Sequence, residues 1–264
     1  KVKMIREEAK GRDGELTPLG ALQHQGRIIL IETSTALCST AMVEDGKIVC
    51  YRESSENRAH ASLTAVFVDE MLKERGCSLN ECSAVCISEG PGSYTGLRVG
   101  VSTAKGLCFG AGIPLLSVGT LEILVNQALQ KHTPDGFQRE RDDDKLAFKY
   151  IVPMIDARRM EVYTAIFEGN GTRVTDTEAK IIDGDSFSDI LAEGPVLFIG
   201  DGAAKCTDTL THPNAHFIQT CPKASAMLEP AERELSERHF RDVAYFEPFY
   251  LKEFVATTSK KHLF

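Results

Sequence analysis

Two stretches of this chain open in the same way, 124 residues apart. Set against each other without a gap, Ile31-Glu32-Thr33-Ser34 faces Ile155-Asp156-Ala157-Arg158, and Thr40-Ala41-Met42-Val43-Glu44 faces Thr164-Ala165-Ile166-Phe167-Glu168. Each copy begins with an apolar run, as a strand buried on both faces requires, and ends that run in a carboxylate. A short turn and a second strand follow, leading to a Gly-containing hairpin such as Asp45-Gly46. A supersecondary unit used twice restricts the chain to duplicated architectures.

The intervening pattern fills in the unit. After Ile28–Ile31 and the hairpin arm Lys47–Tyr51, residues 60–75 have helical periodicity and Ala84–Ser88 reads as another buried strand. Gly90-Pro91-Gly92 is a turn that opens a second helix from about Thr95 to Phe109, stopped by Gly110-Ala111-Gly112 before a strand at Leu115–Val118. Residues 121–131 are again helical in pattern, and the charge-rich run 132–145 reads as a solvated linker or insertion. The expectation is an α/β protein with the duplicated actin/Hsp70/sugar-kinase (ASKHA, RNase H-like) fold, two domains with mixed sheets. Residues 1–26, polar and glycine-punctuated, are set aside as a disordered or tag-like extension. The first domain is expected over 27–119 and the second over 120–264, with the segment from about 245 to 264 a candidate to pack back on the first.

The bulk numbers narrow the function classes. With 264 residues, 42% hydrophobic and 26% charged, the chain can bury real cores. No apolar run approaches the roughly 18 to 20 residues of a membrane span, and residues 1–26 hold no apolar stretch of the secretory kind. A net charge of −8 disfavours autonomous nucleic-acid binding, which draws its affinity from neutralised phosphates. The eight cysteines form no CxxC pair, and several sit in apolar strand-like runs, which points to reduced buried thiols and a cytoplasmic setting.

Four segments together resemble the TsaB (YeaZ) family, the non-catalytic partner in bacterial tRNA threonylcarbamoyladenosine (t6A) synthesis. They are Ile31-Glu32-Thr33-Ser34-Thr35, Gly90-Pro91-Gly92-Ser93-Tyr94-Thr95-Gly96-Leu97-Arg98, Ile155-Asp156-Ala157-Arg158-Arg159-Met160-Glu161-Val162-Tyr163 and Glu247-Pro248-Phe249-Tyr250-Leu251. The resemblance spans roughly residues 27–256; the extension and the linker insertion lie outside the family pattern. It implies a cytoplasmic subunit that pairs with a TsaD-type catalytic paralogue and works with a TsaE-type ATPase. The complex modifies adenosine 37 of tRNAs reading ANN codons. It further implies a homodimer when alone, and contact with tRNA only through the complex.

Working members of the fold hold nucleotide phosphates and Mg²⁺ at the acidic hairpin turns, where Asp-x-Gly-Thr lets the backbone wrap a phosphate. Here Glu32-Thr33-Ser34-Thr35 and Asp156-Ala157-Arg158 both lack that glycine. Glu32, Asp156, Gly200 and Gly202 are therefore vestigial cofactor positions, and no cofactor is expected. Gly200-Asp201-Gly202 also reads as an ordinary strand-to-helix turn. His212 and His216 have metal-pair spacing, but Pro213 and Asn214 argue against a helix, so both read as exposed loop histidines and no metal is expected. Ser93 lacks the Gly-x-Ser-x-Gly context of a hydrolase nucleophile and reads as a helix cap, so no catalytic residue is assigned.

The first helix is apolar on two sides, Leu63, Val66, Phe67 and Met71 on one and Ala65, Val68 and Leu72 on the other. The second carries Leu97, Val101, Ala104 and Cys108 on one face, with Val99, Thr103, Gly106 and Gly110 on another. Surplus apolar faces mark association sites, and the resemblance implies a helix-pair contact with the partner. Leu63, Phe67, Met71, Arg98, Val99, Thr103 and Gly106 are the partner-binding candidates. The alternatives are an ATP-dependent kinase or ATPase, which predicts nucleotide binding by the chain alone, and a metalloprotease (glycoprotease), which predicts stoichiometric metal.

Overall fold

A computed structural model of the protein describes residues 26–56, 59–130 and 148–252; the extension through residue 25, the charged run and residues 253–264 lie outside them. The first sheet is built from β1 (Ile28–Glu32), β2 (Cys38–Glu44), β3 (Lys47–Ser54), β4 (Ala84–Gly90) and β5 (Leu115–Gly119), in the order β3-β2-β1-β4-β5. β1 to β3 run antiparallel and β4 and β5 lie parallel to β1. Asp45 and Gly46, both at positive φ (50° and 70°), make the tight turn between β2 and β3, matching the right-handed twist of the arms.

The second sheet repeats this plan. β6 (Tyr150–Asp156), β7 (Glu161–Thr164), β9 (Glu178–Ile181), β10 (Val196–Gly200) and β11 (Ala215–Gln219) take the order β9-β7-β6-β10-β11, and the short β8 (Phe167–Glu168) also pairs with β6. Again the first three strands are antiparallel, and β10 and β11 are parallel to β6. The two copies differ in register. Ile31 pairs with Thr40, whereas Thr164 pairs with Met154, the counterpart of Leu30. The second hairpin is one residue tighter, so a gapless alignment places the two acids correctly and the return strand one step off.

Period-two alternation divides each sheet into two cores. In the first sheet Ile29, Ile31, Val85 and Ile87 face α1 (Ala59–Glu74) and α2 (Tyr94–Ala111), meeting Val68, Met71, Val101, Ala104 and Cys108. Ile28, Leu30, Ala84 and Cys86 face the opposite layer, made by Ala224, Ala226 and Met227, by Ala231 of α5 (Leu228–Ser236), and by Ile123 of α3 (Thr120–Leu129). In the second sheet Ile151, Ile155, Leu197 and Ile199 pack on Leu121, Leu124, Val125 and Ala128 of that same α3, while Val152, Met154 and Phe198 cover Leu191 of α4 (Ser188–Glu193). One short helix thus serves both cores and joins the two halves. Each fully buried aliphatic side chain contributes about 1.5–3 kcal/mol.

Late residues return to the first half. Arg241 donates its N–H to Leu115 O, Val243 and Phe246 join the core beneath α1 and α2, and Lys105 Nζ donates to Ala244 O and Phe246 O at 3.0 and 3.1 Å.

The glycine-rich segment is a packing device. Ser93 caps α2, its Oγ accepting the Gly96 N–H at 3.2 Å. Gly92, just before α2, and Gly96 and Gly100 within it, four residues apart, all meet the chain at the end of β1. A Cβ on them would stand 2.3 Å from Ser34 O, 2.2 Å from Thr33 O and 2.0 Å from Thr33 Oγ1. At Gly106, by contrast, a Cβ would meet nothing within 4 Å. Gly96→Ala is therefore expected to destabilise the protein by about 1–3 kcal/mol. Gly106→Ala stabilises it by roughly 0.5–1 kcal/mol through helix propensity. Urea denaturation of the two variants checks this pair of opposite signs.

Candidate functional site

The C-terminal ends of β1 and β4 in one half and of β6 and β10 in the other point toward a shared cleft of about 640 Å³, the usual place for a ligand in such sheets. Ser34, Thr35, His60, Ser93, Tyr94 and Thr95 line it from the first half, and Asp156, Arg158, Tyr163 and Asp201 from the second. The first hairpin turn is filled by the protein itself. Ser93 N–H donates to Ser34 O at 2.6 Å, and the start of α2 lies against Thr33 and Ser34. Glu32 is wholly buried and its Oε1 accepts the Ser34 N–H. It does not line the cleft.

The second turn is open but occupied by ion pairs. Asp156 Oδ1 receives the Lys205 ammonium and the Arg158 N–H, and Lys205 also donates to Glu161 O at 2.7 Å. Arg158 and Arg159 sit at φ of 71° and 49°, a conformation that costs a non-glycine residue roughly 1–2 kcal/mol. The tightness of the hairpin imposes it. Gly200 and Gly202 serve the strands rather than the cleft. Gly200 sits at φ 144°, and a Cβ there would meet Met154 O at 2.0 Å; one on Gly202 would meet Val162 Cγ1 and the Asp156 backbone. Of the four cofactor positions expected from sequence, Asp156 alone reaches the cleft wall, joined there by Asp201.

The histidines divide. His212 lies in a turn, its Nδ1 accepting the Asn214 N–H, but His216 is a half-buried residue of β11 with its ring 5.4 Å from Phe148, which corrects the expectation of two exposed loop histidines. A strand begins at Ala215 because β10 offers it a parallel edge. His60 Nε2–H donates to Thr35 O at 2.8 Å. The three-ligand grouping found among the described residues, Glu234, Glu237 and His239, straddles the C-terminal end of α5 and shares Glu234 with Arg233 and Arg241.

The outer surface of α1 and α2 is the second candidate site. Val66 is 44% exposed and Phe109 84%, and Leu63, Phe67, Val99 and Thr103 are half-buried between them and the core. Arg98 is exposed at the start of α2, its guanidinium over the Tyr94 ring. Gly106 and Gly110 open a shallow strip beside Phe109. Met71 does not belong to this face. It is fully buried with Thr64 and Val68 against the sheet, because the helix turns 100° per residue and residues 64, 68 and 71 share the inner stripe. Phe109 was missed as a site residue; its outward position is legible only once Cys108 is known to be inside.

Electrostatics in the cleft is dominated by desolvation. Burial pushes the Glu32 carboxyl up to about 7, against the opposing pull of hydrogen bonds from Ser34 and Ser88, and burial likewise raises Asp201 to about 6. A carboxyl with a higher pKa in the folded state stabilises the fold below its ordinary value of 4.5, and that contribution is lost as pH rises through about 7. Between pH 5 and 8 the burial of Glu32 thus costs up to about 3 kcal/mol. Glu32→Gln flattens that part of the stability–pH profile, as urea titrations at a series of pH values would measure; an unchanged slope would show Glu32 to be ionised throughout.

The relatives of this chain are consistent with one another. The profile of a family described as TsaD, tRNA N6-adenosine threonylcarbamoyltransferase, matches residues 54–260. The TsaB biosynthesis protein of Haemophilus influenzae is 27% identical over 85% of this chain and 93% of its own length, and that of Bacillus subtilis is 30% identical over 66% and 70%. The solved structure of YeaZ from Pseudomonas aeruginosa superposes with a TM-score of 0.70 at 23% identity, covering 86% of this chain and all of that one. This likeness shows that the two chains share one fold, the duplicated two-sheet plan described above. On the sequence evidence, the chain belongs to the TsaB (YeaZ) family.

Proposed function

We propose that this chain is the non-catalytic partner subunit of t6A synthesis, binding and activating a TsaD-type threonylcarbamoyltransferase through the outer face of α1 and α2. The observation that carries the reading is the contrast between the two candidate sites. The first hairpin turn, where a kinase of this fold would wrap a phosphate, is packed with Ser34, Gly92 and the cap of α2. The helix pair instead presents Val66 and Phe109 outward, with Phe67 half-buried between, around an open glycine strip, and exposed apolar area of this kind is stabilised by a partner. The names of the relatives, biosynthesis proteins for threonylcarbamoyladenosine, supply the pathway.

In this reading a TsaE-type ATPase joins the assembled complex, and a second copy covers the same face when the chain is alone. The tRNA is held mainly by the other subunits, since this chain carries a net charge of −8. Among the described residues no helix is long and apolar enough to cross a membrane, in keeping with a cytoplasmic site of action.

Two measurements test this. Gly106→Arg or Phe109→Asp, each at an exposed position of α2, is expected to weaken co-purification with the TsaD-type partner at least 30-fold, the scale of a lost interface hot spot of about 2 kcal/mol. Circular dichroism remains that of the parent. Undiminished capture by both variants would place the partner elsewhere. Calorimetry of the isolated chain with ATP and Mg²⁺ is expected to give no saturable heat at micromolar protein, and a clear isotherm would restore the kinase reading.

A further inference from the structure

The segment Glu247-Pro248-Phe249-Tyr250-Leu251 has no part in the docking face or the hairpin turns, yet it forms one wall of the cleft. Phe249, Tyr250, Leu251 and Lys252 all line it. The segment is fastened to the first half by its backbone. Phe249 N–H donates to Glu89 O at 2.7 Å, and the Phe249 carbonyl lies so close to Gly90 that a Cβ there would stand 2.8 Å from it. The Tyr250 ring then rests on Tyr94, centroids 5.0 Å apart, at the first turn of α2. Two residues further on, the Lys252 ammonium pairs with the Glu161 carboxylate of β7, across the cleft in the second half.

We propose that residues 249–252 are a releasable strap across the cleft mouth, anchored to the first half at Phe249 and latched to the second half by the Lys252–Glu161 ion pair. The two fastenings differ in kind. The anchor is a backbone hydrogen bond, whose amide proton exchanges only when the strap lifts, beside a glycine that admits the close approach, with an aromatic contact next to it. The latch is an ion pair whose side chains are 45% and 20% exposed, of the class that is weak and screened by salt. The halves are otherwise joined chiefly through α3, which serves both cores. The strap therefore bridges them at the cleft, and the ionic medium governs how often it lifts.

The test is amide hydrogen exchange on the full chain, read by mass spectrometry at the Phe249 peptide and at the β6 and β10 peptides. Lys252→Met and Glu161→Gln are each expected to accelerate exchange at Phe249 roughly two- to five-fold, the range of an exposed ion pair. The double variant is expected to be no faster than either single, and raising salt from 0.05 to 1 M is expected to reproduce the effect in the parent alone. Exchange in β6 and β10 stays unchanged. The proposal is overturned if the single variants leave Phe249 as protected as before, if their effects add in the double variant, or if β6 and β10 accelerate equally.

Discussion

The close approach between the end of β1 and the start of α2 is the constraint on which most of this structure depends. Three glycines spaced by four residues let the Thr33 and Ser34 backbone lie directly on a helix. Their absence of side chains fixes how deep α2 sits, and so fixes which of its residues are inside. Gly96, Leu97, Gly100, Val101, Ala104 and Cys108 are buried, which turns Arg98, Gly106, Phe109 and Gly110 outward. The same contact fills the turn in which a phosphate would be wrapped. The filled turn and the outward helix face follow from a single piece of packing.

Much of the fold was legible in the sequence. Buried strands such as Ile28–Glu32 and Val196–Gly200 are short apolar runs with clear stops, and the acids at 32 and 156 mark the two copies without structural help. What the sequence concealed was mostly relative placement. A helix apolar on two sides cannot declare which side is inside, so Met71 was grouped with the exposed stripe when it belongs with Val68. The one-residue difference between the hairpins was hidden because equal residue counts do not require equal pairing. The glycines of the 90–100 segment were visible as a bend and a cap, but their contact partner, 60 positions earlier, was not.

The candidate site shows the same limit. Glu32, Asp156, Gly200 and Gly202 converge at the strand ends, as the duplicated plan requires, but three of the four turn away from the cleft or are sealed from it. Asp201, between two glycines that serve the strands, faces Asp156 and is held above the ordinary carboxylate range by burial. The cleft retains carboxylates while the surrounding ammonium groups of Lys205 and Lys252 are committed to ion pairs.

One further property comes from the length of α2. The helix has 18 residues, with Ser93 and Tyr94 at the cleft and Phe109 near its far end. It is about 27 Å long, so a rigid tilt of about 5° at one end would displace the other by about 2 Å. If a partner seats near Phe109, as proposed, a rod of that kind would connect it to the Tyr94–Tyr250 stack with no need for a relay of side chains between them.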